Sequence, residues 1–244
     1  MTKEIVKTVG LTKRYSDVDV VKDLELSVKE GSIYGFLGPN GAGKSTTLKM
    51  LLGLARPTAG KIHLFGQPFT GRSRIRLLSQ VGSLIESPSY YGHLTAKENL
   101  KIYTTIQSLP EHHIDEVLQI VGLDGQKNKR TAAFSLGMKQ RLGLASALIA
   151  FPRLLILDEP TNGLDPAGIQ EMRELIRSLP QRYGMTVVIS SHLLSEIDQL
   201  VDDIGIIARG QLRYQGALAE LHRQAEGRSL EEIFLTLTGG GVRL

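Results

Sequence analysis

The sequence predicts an α/β fold built on a largely parallel sheet, and three observations support that prediction. Short apolar runs typical of buried strands recur along the chain. Stretches with apolar residues at helical spacing separate most of these runs. Glycine occurs 26 times in 244 residues and clusters where strands meet helices. Strands that alternate with helices form parallel sheets, because each helix carries the chain back across the sheet face.

Strand and helix patterns follow one another in the N-terminal part of the chain. Two β-like runs come first, at residues 5–9 and 20–28. A brief apolar run, Ser32–Leu37, then predicts a buried strand, because glycine and proline follow it directly. After Gly43 the apolar residues recur at helical spacing, and the turn signal Arg56–Gly60 predicts that this helix ends before it.

The stretch from about residue 87 to 150 has mainly helical patterning. Thr95 and Glu98 have the spacing of a capping box, in which Thr caps the helix start and Glu bonds back. Further helices are expected at 111–121 and 137–150. We therefore predict a helical subdomain inserted into the α/β core.

Strand patterning returns after this insertion. Apolar runs predict strands at 154–157, 186–190 and 204–208. Between the first two, Asp165 is placed to cap a helix whose first turn holds Pro166. The remaining residues, about 211–244, are expected to form a C-terminal tail, so that residues 1–244 make a single domain.

Composition excludes several classes of function. The absence of cysteine excludes disulfides, thiolate metal sites and thiol nucleophiles. No run approaches the about 20 apolar residues that a bilayer helix needs, and the N-terminus resembles neither a signal peptide nor a transit helix. We therefore expect a cytoplasmic protein. The net charge of +4 is scattered over short basic stretches, which favours a solvated surface over a nucleic-acid groove.

A glycine-rich motif follows the strand Ser32–Leu37. It fits G-x-x-x-x-G-K-[ST] and consists of Gly38, Pro39, Asn40, Gly41, Ala42, Gly43, Lys44, Ser45 and Thr46. In such a loop, backbone N–H groups surround the β-phosphate, and the following helix presents partial positive charge. Lys44 is expected to bridge the β- and γ-phosphates, and Ser45 to ligate Mg²⁺. The flanking strand and helix favour nucleotide binding over an ordinary glycine turn.

An acidic pair closes the apolar run at 154–157. Asp158 and Glu159 would lie at the carboxyl end of a buried strand, where α/β sheets place ligands. Asp158 is expected to hold Mg²⁺ through water, and Glu159 to act as the general base toward the attacking water. The alternative is a strand that ends in a solvated acidic pair, and the upstream phosphate loop argues against it.

With these two motifs the chain resembles the ATP-binding subunit of ABC transporters over nearly its whole length. The resemblance implies a P-loop NTPase cassette with a mostly parallel core sheet, an N-terminal antiparallel β subdomain and an inserted helical subdomain. It also implies an ATPase with ATP and Mg²⁺ as cofactors. Such a subunit lies on the inner face of the membrane through a separately encoded transmembrane permease.

The same resemblance assigns further residues to the ATP site. Tyr15 occupies the position of the aromatic residue that stacks on adenine; packing within the β subdomain is the alternative. Asp165 belongs to a stretch, Asn162–Asp165, that is similar to the family's D-loop. His192 follows the strand at 186–190 and resembles the switch histidine that reaches the γ-phosphate.

The stretch Phe134–Arg141 is similar to the family signature LSGGQ-x-Q-R, with three departures from it. Ser135 and Gly137 retain the hydroxyl and the close-approaching N–H that a helix start needs to bind a γ-phosphate. The chain thus has two anion-binding helix starts for one triphosphate. We therefore expect a head-to-tail dimer in which each ATP lies between Lys44 of one copy and Ser135 of the other, as in the family.

Glu86 is a sharper departure from the family. There, a Gln ends a strand, ligates Mg²⁺ and leads into the helical subdomain, and Glu86 occupies that position here. Gln80 is the rival, but it precedes the strand and would face away from the site. A carboxylate remains a good Mg²⁺ ligand, so metal binding should survive while coupling to the membrane partner changes.

Glu86 and the signature Ser135–Arg141 together resemble the bacitracin-resistance and lantibiotic-immunity branch, which implies export of, or immunity to, a peptide antibiotic. Residues from about 87 to 109 are then expected to dock on the permease, and no nucleic acid is expected. Two alternatives stay open: a soluble ABC ATPase acting on ribosomes or DNA, and a structural subunit that does not hydrolyse ATP.

Overall fold

The computed structural model describes residues 3–86, 88–192, 194–224 and 227–239. Its strands are β1 Glu4–Tyr15, β2 Val18–Leu24, β3 Ser27–Lys29, β4 Ile33–Leu37, β5 Ala59–Leu64, β6 Gln67–Pro68, β7 Val81–Leu84, β8 Leu154–Asp158, β9 Thr186–Ser191, β10 Asp203–Ala208 and β11 Gln211–Ala217. Its α-helices are α1 Lys44–Leu51, α2 Arg74–Leu78, α3 Ala96–Gln107, α4 His112–Ile120, α5 Leu136–Leu148, α6 Pro166–Tyr183, α7 Leu194–Ile197, α8 Leu218–Gln224 and α9 Leu230–Thr238. No helix within the described ranges is long and apolar enough to span a bilayer.

Two sheets organise these elements. The smaller sheet has the order β2–β1–β5–β6, with β3 also paired to β1, and its pairings are antiparallel. The larger, six-stranded sheet has the order β11–β10–β4–β9–β8–β7. Its strands from β10 to β7 pair in parallel, whereas β11 pairs with β10 antiparallel. The predicted parallel core and antiparallel β subdomain are thus confirmed.

The central strands of the larger sheet are covered on both faces. Every residue of β4, β8, β9 and β10 is buried. One face packs against the helical subdomain, α6 and the C-terminal helices, and the other packs against α1 and the smaller sheet. Strands covered in this way are apolar at successive positions, which is why the sequence reveals them as unbroken apolar runs.

The predicted helical subdomain is confirmed and consists of α3, α4 and α5. Its first helix begins with the expected capping box. The Thr95 hydroxyl accepts a hydrogen bond from the Glu98 amide, and the Thr95 amide donates to the Glu98 carboxylate at 2.8 Å. The subdomain is anchored to the core where α5 packs against β7.

Sequence patterning misses several short or exposed elements. Helix α2 has five residues and is too short to display a helical period. The segment expected as a tail from about residue 211 instead begins with β11, which is the edge strand of the larger sheet, and continues into α8. Strand β11 has only exposed and half-buried residues and so lacks the continuous apolar run of its neighbours. Residues 240–244 of that segment lie outside the described residues.

The contact between α5 and β7 depends on Gly82. A Cβ atom at this position would lie 2.0 Å from the Ala147 carbonyl oxygen and 2.8 Å from a Pro152 side-chain carbon. We expect Gly82→Ala to lower the free energy of unfolding by about 1–3 kcal/mol, because the strand and helix must separate. Chemical denaturation of purified protein measures this change.

The matched control is Gly125→Ala, since a Cβ atom at Gly125 would meet nothing within 4 Å. This variant should change stability by no more than about 0.5 kcal/mol. Equal stability of the two variants would contradict the close approach at Gly82.

Candidate active site

The loop between β4 and α1 carries several backbone N–H groups without a hydrogen-bond acceptor in the described part of the chain. Gly41 and Gly43 adopt left-handed φ angles of 77° and 108°, which glycine tolerates without steric cost. The N–H groups of Gly41, Gly43, Lys44 and Ser45 find no acceptor among the described residues. Together with the N-terminus of α1, they form an environment that suits a phosphate group.

Two glycines allow this loop to lie against neighbouring strands. A Cβ atom on Gly38 would lie 2.4 Å from the carbonyl oxygen of Ile207, in β10. One on Gly43 would lie 2.7 Å from the carbonyl oxygen of Val20, in β2. The loop therefore packs closely between the two sheets, which restricts the movement of its backbone donors.

Lys44 is the buried cation of the site. Its Nζ donates to the Gly38 carbonyl at 2.7 Å and lies 3.8 Å from Oε1 of Glu159. Burial lowers the pKa of the Lys44 ammonium, while the charges of Glu159 and Asp158 oppose that shift. The ammonium thus binds a carbonyl of its own loop and lies close to the acidic pair.

Asp158 and Glu159 lie at the carboxyl end of β8, beside β9. Asp158 is buried, and its Oδ1 accepts a hydrogen bond from the hydroxyl of Ser190, the residue opposite it in β9. The Glu159 amide donates to the same hydroxyl at 3.1 Å. Glu159 is in the left-handed region, with φ 53°, which is uncommon outside glycine. The Ser190 side chain therefore contacts both acidic residues.

His192 follows β9 and contacts Glu159. Its Nδ1 forms a hydrogen bond with Oε2 of Glu159, while Oε1 of the same carboxylate faces Lys44. The imidazole is partly exposed. Lys44, which follows β4, and His192, which follows β9, thus both contact the carboxylate of Glu159, which follows β8. This is expected where parallel strands end at the same edge of a sheet.

Glu86 follows β7 and lines the same cleft as the acidic pair. The cleft has a volume of about 480 Å³, and Glu86, Asp158 and Glu159 contribute to its wall. The Glu86 carboxylate is bound by Nζ of Lys49 at 2.7 Å, and this hydrogen bond lowers the pKa of the Glu86 carboxyl. Lys49 belongs to α1, one turn after Ser45.

Gln80 lies at the opposite end of β7. Its carbonyl oxygen accepts from the amides of Arg153 and Leu154, at the start of β8, and its Oε1 accepts from the Arg153 guanidinium at 3.2 Å. The position therefore faces the amino-terminal edge of the sheet. Glu86 and not Gln80 is the residue at the cleft.

Ser135 and Gly137 line a second cavity, which shares Leu136 with the cleft of Glu86 and the acidic pair. This cavity of about 460 Å³ is lined by Ser135, Gly137 and Asp165, together with other residues of α5 and α6, but not by Lys44 or Glu159. The Ser135 hydroxyl caps α5 by accepting from the Met138 amide at 3.3 Å, and an Asp165 oxygen caps α6 by accepting from the Gly168 amide at 2.9 Å.

Tyr15 ends β1, and its side chain is half exposed. The Lys13 ammonium lies 4.6 Å from the ring centroid. The ring is therefore not packed inside the β subdomain, which was the alternative to a role in ligand contact. Pro39, Asn40, Ala42 and Thr46 complete the phosphate loop and the first turn of α1.

Residues 21–162 match the family model of the ABC transporter. The chain belongs to this family. It is 55% identical to the bacitracin transport ATP-binding protein BcrA of Bacillus licheniformis over 209 residues, which cover 85% of this chain and 68% of BcrA. It is 44% identical to the lantibiotic transport ATP-binding protein SrtF of Streptococcus pyogenes over 231 residues, which cover 94% of this chain and 96% of SrtF.

Among solved structures, the chain is similar to cbiO1 of Clostridium perfringens, part of the ABC transporter complex cbiONQ. The TM-score is 0.83 and the identity 27%, over 96% of this chain and 99% of cbiO1. The predicted family, fold and ATPase activity are confirmed. This protein is an ATP-binding, ATP-hydrolysing subunit of an ABC transporter.

Sequence reasoning missed two side chains at this ABC site. Ser190 was identified only as the end of a strand, and Lys49 only as part of a helix. Gln140 lies in the stretch that is similar to the family signature, but no role was predicted for it. It is buried, donates to the Pro160 carbonyl at 3.2 Å and leaves its Oε1 without a partner among the described residues. Only the polar character of Ser190 within an apolar strand signalled it.

Replacing the Glu159 carboxylate tests its role as the general base. We expect Glu159→Gln to retain ATP binding, because Lys44 and the loop amides are unchanged. Hydrolysis should fall by about 10²-fold or more, since an amide cannot accept the proton of the attacking water. Phosphate release and fluorescent-nucleotide binding measure the two quantities.

Glu231→Gln is the matched control, because Glu231 is an exposed carboxylate in α9. Its turnover should equal that of the unaltered protein. Unchanged turnover in Glu159→Gln would exclude Glu159 as the base.

Proposed function

We propose that this subunit powers a permease that exports a peptide antibiotic of the bacitracin or lantibiotic class, or protects the cell against it. The observation that carries the proposal is the alignment of most of the chain with relatives named for bacitracin transport and lantibiotic transport, at 55% and 44% identity. Glu86 and the altered signature are further features by which the chain resembles that branch.

ATP is proposed to bind the loop between β4 and α1. The unpaired amides of Gly41, Gly43 and Ser45 would donate to the β-phosphate. Lys44 would exchange the Gly38 carbonyl for oxygens of the β- and γ-phosphates. Tyr15, which is half exposed at the end of β1, would stack on the adenine.

Mg²⁺ is proposed to be held by Ser45 and Glu86 directly and by Asp158 through water. All three side chains offer the hard oxygen donors that Mg²⁺ prefers, and Glu86 and Asp158 line one cleft. Bound Mg²⁺ would neutralise charge that develops on the transferred phosphoryl group. In the structure, Oε1 of Glu86 accepts a hydrogen bond from Lys49.

Glu159 is proposed to accept the proton of the water that attacks the γ-phosphate. Lys44 and His192 contact the two oxygens of its carboxylate, so these side chains would aim it toward the phosphate loop. His192 would also reach the γ-phosphate as ATP arrives. The alternative in which the acidic pair is merely solvated is disfavoured, since Asp158 is buried.

Two copies of the chain are proposed to form a head-to-tail dimer around two ATP molecules. Ser135 and Gly137 line a cavity to which neither Lys44 nor Glu159 contributes. A second copy would bring its Ser135 to the γ-phosphate held by Lys44 of the first. Asp165, at the start of α6, would then lie near the dimer interface.

Residues from about 87 to 109 are proposed to dock on the permease. Ser87 lies outside the described residues, but the segment from 88 onward includes two exposed apolar side chains, Tyr91 and Ile106, which are 57% and 76% exposed. The segment follows Glu86 directly, so displacement of that side chain would move the docking surface.

Susceptibility of the source organism tests the substrate class. Deleting the gene of this subunit should lower the inhibitory concentration of bacitracin or of a lantibiotic several-fold, because export or immunity would lose its energy source. The gene should restore resistance, and a Lys44→Ala copy should not.

Tetracycline serves as the control compound, since it is not a peptide. Unchanged susceptibility to both peptide classes in the deletion strain would exclude the proposed substrates while leaving the ATPase assignment intact.

Docking through α3 is tested by Ile106→Asp. A charge at this exposed position should abolish co-purification with the permease. ATP hydrolysis by the isolated subunit should not change, because Ile106 does not line the cleft of Glu86, Asp158 and Glu159. Leu235→Asp is the control, since Leu235 is also exposed, in α9. Equal permease recovery with both variants would exclude Ile106 from the interface.

A further inference from the structure

One fully buried hydroxyl connects the two acidic residues of the site. Ser190 pairs with Asp158 in the parallel register of β8 and β9, and its hydroxyl donates to Oδ1 of Asp158. The Glu159 amide approaches both the Ser190 hydroxyl, at 3.1 Å, and the Ser190 carbonyl oxygen, at 3.2 Å. Ser190 thus forms hydrogen bonds with the side chain of Asp158, the last residue of β8, and with the backbone of Glu159, which follows it.

The backbone at Glu159 needs such an anchor. Its φ of 53° lies in the left-handed region, which non-glycine residues occupy only when their surroundings hold them there. Rotation out of this region would swing the carboxylate away from Lys44, which is 3.8 Å from Oε1, and from His192. The hydrogen bonds from the Glu159 amide to the hydroxyl and the carbonyl of Ser190 hold the start of this turn against β9.

The same hydroxyl also fixes the Asp158 carboxylate. Because this hydroxyl donates to Oδ1, it restricts rotation of the carboxylate about its side-chain bond, and Oδ2 would accept a hydrogen bond from a metal-bound water. An apolar side chain at position 190 would leave a buried carboxylate oxygen without this donor.

We propose that Ser190 is a positioning residue for ATP hydrolysis: its hydroxyl orients Asp158 toward Mg²⁺ and, together with the Ser190 carbonyl, anchors the Glu159 amide against β9. This inference rests on the roles proposed above for those two residues. Ser190 itself contacts neither phosphate nor water in this scheme and acts only through its neighbours.

Strand β9 supplies a matched control at its other end. Thr186 is also fully buried, and its hydroxyl accepts from the Gly31 amide at 2.8 Å, at the edge of the sheet away from the active site. Thr186→Val and Ser190→Ala each delete one buried hydroxyl from the same strand. A purely structural role for Ser190 would make the two variants behave alike.

The experiment compares both variants with the unaltered chain in nucleotide binding and turnover. In Ser190→Ala, kcat for ATP should fall about tenfold or more, because misaligned groups lose transition-state stabilisation. Fluorescent-ATP affinity should be normal in EDTA, and excess Mg²⁺ should strengthen it less than in the unaltered chain, because Ser45 and Glu86 remain as direct ligands. Thr186→Val should retain both the turnover and the Mg²⁺ effect, and Ser190→Thr, which keeps the hydroxyl, should recover most of both.

Matching behaviour of Ser190→Ala and Thr186→Val in kcat and in the Mg²⁺ effect would overturn the proposal. If Ser190→Ala does not fold, Ser190→Cys replaces it, since a thiol has similar size but donates weakly. A wrong assignment of Glu159 as the base would give a different result. Glu159→Gln would then hydrolyse ATP at the normal rate, while the Mg²⁺ dependence of ATP binding would still test the contact between Ser190 and Asp158.

Discussion

Parallel hydrogen bonding among β4, β9 and β8 is the constraint on which the rest of the site depends. It places Leu37 beside Ser191, and Ser190 beside Asp158, so three strands end at one edge of the sheet. The phosphate loop, the acidic pair and His192 follow those ends directly. Because each strand is packed on both faces, a slip in register would disrupt side-chain packing against both neighbouring layers, so the core holds the strand ends in place.

Besides the packing of α5 on β7, an ion pair connects this core to the segment that leads into the helical subdomain. Lys49 in α1 holds Glu86, which leaves β7 in a left-handed conformation with φ 62°. Both side chains are substantially exposed, so the pair contributes little to stability. The pair connects α1, which follows the phosphate loop, to the segment at Glu86 that precedes the helical subdomain. A glutamine at position 86 could not form this ion pair.

Much of the fold was predictable, because buried parallel strands and capped helices leave strong local patterns. Thr95 and Asp165 cap their helices as their spacing indicated. Short or exposed elements were missed, since the five residues of α2 and the half-buried β11 carry no clear period. Lys44, Asp158 and Glu159 were found through motif spacing, whereas Ser190 and Lys49 belong to no motif and acquire their contacts only through pairing between distant segments.

The sequence by itself determined the family, the phosphate loop and the acidic pair, because a loop that wraps a phosphate requires glycines and a lysine at fixed intervals. It also determined that a carboxylate occupies position 86. Only the tertiary structure decided which partners those residues have. Ser190 contacts Asp158 across 32 positions of chain, and Lys49 contacts Glu86 across 37, through hydrogen bonds that sheet register and helix packing create. Contacts of that range depend on the whole fold and therefore leave no local pattern.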